Sequence, residues 1–194
     1  MNIKKVSLIF AILAIGGLLN FGYPLLAAAY SIPVGMELII VGYCLIAMLV
    51  PLSFGELLGI GILAGFLNIV SDTTHLAAII SMHAPRSVLL MGLFNLASEP
   101  VGIVVCFFMF AYLGDRIRSV APLAAAFIAT LASGFTYLAM VFLFNPHLIA
   151  SEPGYVEAFL LRVAEAAVVN AVVVQLVFMA VHRPVKAYLA GSAE

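Results

Sequence analysis

Six apolar runs, 6–22, 36–50, 54–70, 87–113, 120–144 and 155–181, occupy most of this 194-residue chain. A helix needs roughly 17 to 25 apolar residues to cross a bilayer. With no water in the hydrocarbon to satisfy backbone groups, only helices or a closed barrel can span it. A barrel strand alternates polarity over about ten residues, and the unbroken VGIVVCFFMFAYL, 101–113, does not. The composition agrees: 65% of residues are hydrophobic and 9% charged, against about 45–50% apolar in soluble domains. The expectation is an all-α integral membrane protein, a single membrane domain over 1–194 built as a six-transmembrane-helix bundle. The second and third runs are separated only by PLSFGE, 51–56, so they are expected to form a tight hairpin of short helices.

Basic residues set the orientation, because short cytoplasmic loops carry the excess of Lys and Arg. With six spans and both termini cytoplasmic, Lys4, Lys5, Arg116, Arg118, Arg183 and Lys186 fall inside, Arg86 falls outside, and Arg162 lies within a span. The opening MNIKK, VSLIFAILAIGGLL and LAAAYS also has the pattern of a cleavable leader; its apolar length favours an uncleaved first span. Of the external segments, SDTTHLAAIISMHAPR, 71–86, is long and apolar at its centre, and 72–86 is expected to act as a lid. Cys44 and Cys106 lie in apolar runs and read as small hydrophobes. The four histidines show no metal-ligand spacing, and no hydrolase or phosphate-cradling motif occurs. The chain is therefore expected to be no enzyme, with no cofactor, no metal and no nucleic-acid partner. Any nucleotide-driven step would need another subunit.

Polar residues within the runs carry the functional signal, since a charge at bilayer depth costs at least ~2.5 to 3.5 kcal/mol and normally faces the bundle interior. In LFNLASEPVGIVV, Asn95, Ser98, Glu99 and Gly102 recur at helical spacing, with Glu99 ~18 Å below the outer boundary at the helical rise. Pro100 follows directly. Either Ser98 caps a new helix there, or the helix continues and kinks because the Leu96 carbonyl loses its donor. The second is favoured, since a half-span of 87–97 could not cross. In the last run Arg162, Glu165 and Asn170 are expected to face the same interior at overlapping depths. The third adds Gly61, Gly65 and Asn68 on one face, continued by Asp72, with Gly61 and Gly65 forming a seam for close helix contact. The fifth adds Thr130, Ser133, Gly134 and Tyr137. Two interior acids then face one guanidinium, so a ligand ammonium or a proton would balance the set. The expected substrate contacts are Asn95, Glu99, Arg162, Glu165, Tyr137, Asn68, Asp72 and Asn170.

Three stretches, MNIKKVSLIFAILAIGG, LLGIGILAGFLNIVSD and VVNAVVVQLVFMAVHRPVKA, resemble the S components of energy-coupling factor (ECF) transporters over essentially the whole chain. NLASEPVGIVVCFFMFAYL is similar to the fourth span of the tryptophan-transporter-like branch. The resemblance implies a substrate-binding subunit in the cell membrane that captures a vitamin, amino acid or similar metabolite from outside. A membrane coupling subunit and ATP-binding subunits would drive release inward. In that family an Ala-x-x-x-Ala-like patch on the first helix meets the coupling subunit; here the nearest match is Ser7, Ala11 and Ala14. Two competing readings stand beside it, a stand-alone proton-coupled secondary transporter and a structural or assembly membrane protein.

Overall fold

A computed structural model describes residues 3–30, 37–71, 86–151 and 153–191. The order along the chain is α1 (Ile3–Tyr30), α2 (Leu38–Leu49), α3 (Phe54–Ser71), α4 (Arg86–Gly114), α5 (Ala121–Phe144), α6 (Pro146–Ser151) and α7 (Tyr155–Ala190). Among the described residues all regular structure is helical. Four helices are long and apolar enough to cross a membrane: the 3–23 part of α1, the 92–114 part of α4, α5 and α7. The expected lid, 72–86, lies outside the described residues up to its last position, and Asp72 lies outside with it.

The second run behaves differently from a span. Its helix, α2, has 12 residues, which at ~1.5 Å per residue is ~18 Å, short of a ~30 Å hydrocarbon core. Every one of its residues is buried. It packs against α1, α3, α4, α5 and α7, so it is the central post of the bundle. The near-uniform apolarity of LIIVGYCLIAML follows from that position, because a helix surrounded on all sides is apolar all round.

Close packing around this post uses small residues. Gly16 of α1 and Gly42 of α2 face each other, their α-carbons so placed that a Cβ on Gly42 would stand 3.9 Å from Gly16. The seam expected at Gly61 and Gly65 is where α3 meets α4. A Cβ on Gly61 would lie 2.5 Å from the Cα of Pro100, and one on Gly65 would lie 2.5 Å from the Asn95 carbonyl oxygen. Helix α4 continues through Pro100, which excludes the broken half-span.

Polar contacts tie the bundle together at the end where α1 begins. Ser53 and Glu56 form a capping box: the Glu56 N–H donates to the Ser53 hydroxyl at 3.4 Å, and the Ser53 N–H donates to the Glu56 carboxylate at 2.7 Å. Lys5 pairs with the same carboxylate at 2.8 Å. Lys4 donates to the Gly191 carbonyl at 3.0 Å, which brings the start of α1 and the end of α7 to one end of the bundle. Gln175 of α7 clamps the entry of α5, donating to the Ser119 carbonyl at 2.9 Å and accepting from the Leu123 N–H at 3.1 Å.

The α3–α4 seam gives a direct test. Gly65→Ala should lower the thermal unfolding midpoint of the detergent-solubilised protein by the equivalent of about 1–3 kcal/mol, the usual cost of overpacking. Gly59→Ala, where a Cβ meets nothing within 4 Å, should leave the midpoint unchanged or raise it, since Ala is the better helix former by up to about 1 kcal/mol. Equal effects of the two substitutions would contradict this packing.

Candidate functional site

The site begins with an unusual requirement. The first N–H groups of any helix have no partner within it, and α2 starts inside the bundle, where each unsatisfied group is costly. Two asparagines from neighbouring helices meet this need. Asn20 of α1 accepts from the Leu38 N–H at 3.1 Å, and Asn170 of α7 accepts from the Glu37 N–H at 3.3 Å. Their side-chain amides extend the network outward. Asn20 donates to Asn68 of α3 at 3.4 Å, and Asn170 donates to the Thr130 hydroxyl of α5 at 3.4 Å. Thr130 in turn donates to the Ala126 carbonyl at 2.9 Å.

Glu99 is the terminus of the first arm. Asn68 Nδ2 donates to its Oε1 at 3.0 Å, and Ser133 Oγ donates to its Oε2 at 3.2 Å. The residue is 1% exposed, and among the described residues no cation pairs with it. Both of its donors are neutral. The hydroxyl of Tyr43, on α2, lies beside the same carboxylate yet meets no acceptor in hydrogen-bonding geometry. Tyr43 is wholly buried and reaches this place only because position 102 is glycine; a Cβ there would collide with the phenol oxygen. Glu37, the residue before α2, is exposed to solvent. Its charge is within range of Glu99.

An aromatic group surrounds the neighbouring ends of α4, α5 and α7. Phe94 meets Tyr137 edge-on at 5.8 Å, Tyr137 stacks on Phe159 at 5.6 Å, and Phe159 stacks on Tyr155 at 6.1 Å. Between them they fill the space beyond Ser133 with large, weakly polar faces.

Asn68, Glu99 and Asn170 are therefore brought together, as are Ser133 and Thr130. Asn95 is half-buried on the helix that carries Glu99 but joins none of these hydrogen bonds. Tyr137 stands in the aromatic group. The placement of Arg162 and Glu165 differs from the expectation. Arg162 is exposed and Glu165 half-buried, and no ion pair joins Arg162 to Glu165 or Glu99. The reason is the width of the arc. The buried face of α7 is set by Ala166, Ala167, Asn170, Ala171 and Val174, and at 100° per residue Arg162 lies about 110° and Glu165 about 170° from its centre. Asn170 alone of the three points to the core. Ser7, Ala11 and Ala14 are exposed along α1, opposite the buried Ile9, Leu13 and Gly16.

Three members of the site, Asn20, Glu37 and Tyr43, escape the sequence reading. Glu37 carried a usable signal, an acid at the edge of an apolar run. Asn20 did too, as an amide near the end of the first run. Tyr43 carried none, because its role depends on the glycine opposite it. Comparison with protein-family models, curated proteins and solved structures finds no match to the chain, so its site is read from its own chemistry.

The capping role of Asn170 is testable. Asn170→Leu keeps the volume and strands the Glu37 N–H, and should destabilise the protein by about 1–3 kcal/mol, the cost of an unsatisfied buried group. Asn95→Leu should cost clearly less in the same thermal measurement. The reverse order would contradict the network.

Proposed function

We propose that the chain is a substrate-capture membrane subunit for uptake of a small metabolite, of the S-component type, working with a coupling subunit and ATP-binding subunits. The observation that carries this reading is the buried Glu99 carboxylate, held by two neutral donors beside an unpartnered Tyr43 hydroxyl. Helix–helix adhesion is served by Asn, Ser and Thr at ~0.6 kcal/mol per bond, and an acid at this depth adds cost without improving it. An ionisable group inside a bundle is the usual mark of a ligand or ion path. The aromatic group of α4, α5 and α7 supplies a surface suited to the body of a small organic ligand.

In this reading α2 and α3 complete a six-helix bundle of S-component type, α2 as a short interior helix that does not by itself cross the hydrocarbon, both termini are cytoplasmic, and the chain resides in the plasma membrane. The common end of α1 and α7 supports an even number of crossings. The exposed line of Ser7, Ala11 and Ala14 supports docking of another membrane helix, because small residues permit close approach. The chain itself catalyses no reaction. A second reading, a stand-alone proton-coupled transporter, draws on the same carboxylate as a group able to take up and release a proton.

Growth medium separates these. Cells expressing the protein with its genomic neighbours should deplete one metabolite that cells expressing Glu99→Gln leave at least about 10-fold more of, the scale of one lost hydrogen bond to a charged group. Accumulation of that metabolite by the isolated chain in liposomes, abolished by an uncoupler, would favour the secondary transporter. Equal depletion by wild type and variant would remove Glu99 from the path.

A further inference from the structure

We infer that the site recognises its ligand through an ammonium group, seated near the internal end of α2 between Glu99 and the hydroxyl of Tyr43. The inference rests on the capture reading above and names the chemistry of that site. The arrangement of donors and acceptors carries it.

The start of α2 is a poor anion site: of its N–H groups, which would otherwise attract one, those of Glu37 and Leu38 are already taken by the Asn170 and Asn20 side-chain oxygens. Among the described residues no ion pair reaches Glu99: Lys5 is bound to Glu56 and Lys4 to Gly191 at the far end, and Arg162 points outward on α7. What remains at the cluster is acceptor capacity. An ionised carboxylate offers about four lone-pair sites, and Glu99 uses two of them, one for Asn68 and one for Ser133. Tyr43 keeps a fully buried oxygen without a partner. Glu37 brings a second carboxylate within electrostatic range and retains solvent access.

An ammonium group has three donors and no acceptor. Two acceptors from different helices meet here, Glu99 from α4 and Tyr43 from α2, and Glu37 at the start of α2 adds a negative charge within electrostatic range. A positive charge would offset the buried acid, which has no cation of its own among the described residues.

The full chain in detergent tests this with compounds that share one body and differ in charge. Phenethylammonium chloride, 2-phenylethanol and sodium phenylacetate are compared at equal ionic strength, with methylammonium chloride as the bare group, using the shift of the thermal unfolding midpoint and its concentration dependence to obtain Kd. An ammonium compound should stabilise the protein, while phenylacetate and the alcohol should not. Tyr43→Phe, which removes an oxygen that meets no acceptor in good hydrogen-bonding geometry in the empty protein, should keep the unfolding midpoint close to that of wild type and weaken ammonium binding about 10- to 100-fold, the range for a hydrogen bond to a charged group. Glu99→Gln should weaken it at least as much. Stabilisation by phenylacetate or the alcohol without the ammonium compounds overturns the inference and leaves the capture reading standing. So does ammonium binding that neither substitution weakens, or no stabilisation by either ammonium compound. Failure of the capture reading shows separately, as the absence of any Glu99-dependent metabolite depletion in the growth experiment.

Discussion

A helix that starts inside an apolar bundle must have its first backbone N–H groups satisfied by side chains, and everything distinctive about this protein follows from that constraint. Helix α2 is too short to cross the hydrocarbon and too apolar to leave it, so its N-terminus is fixed at depth. Asn20 and Asn170 cap it from two different helices. Once those amides are spent on capping, their remaining donors have to go somewhere. They lead through Asn68 to Glu99 on one side and to Thr130 on the other. The network thus couples six helices, α2 and the five around it, through a point that no single helix could organise.

The same constraint explains the glycines. Two rows of helix contact must be unusually close for side chains as short as Asn and Ser to bridge them. Gly61 and Gly65 let α3 rest on the backbone of α4 around Pro100, and Gly102 admits the ring of Tyr43. Pro100, directly after the buried acid, stays within a continuous helix because α3 packs against it with no side chain between. The opposite end of the bundle is conventional by comparison, with a capping box at Ser53 and Glu56 and an ion pair to Lys5.

Much of this was legible in the sequence. The all-helical membrane character follows from run length and composition, and the polar stripe around Glu99 and the Gly61–Gly65 seam follow from helical spacing. Asn68, Ser133, Thr130 and Asn170 were identified from the same rule. Arg162 and Glu165 were misplaced because a helical wheel gives relative angles and no absolute facing. Three residues spread over about 140° cannot all point to one core, and the small Ala166, Ala167 and Ala171 decide which part of α7 packs inward. The shortness of α2 was legible from the closeness of the second and third runs, but its enclosure on all sides was not, since an interior helix and a short span have the same composition. For that reason the residues gathered at its N-terminus, Asn20, Glu37 and Tyr43, were visible only in three dimensions.

An interior built only for adhesion has no use for a carboxylate, and one built for an anion would leave the start of α2 open. This interior does neither: amides cap the Glu37 and Leu38 N–H groups, and a buried acid is left beside a phenol hydroxyl. The central claim is that the internal end of α2 is a ligand site. High-resolution mass spectrometry of small molecules co-purified with the protein tests it most directly. The account predicts one metabolite bearing a basic nitrogen, recovered from wild type and lost from the folded Glu99→Gln protein. The same metabolite at equal occupancy in both, or none from either, would contradict it.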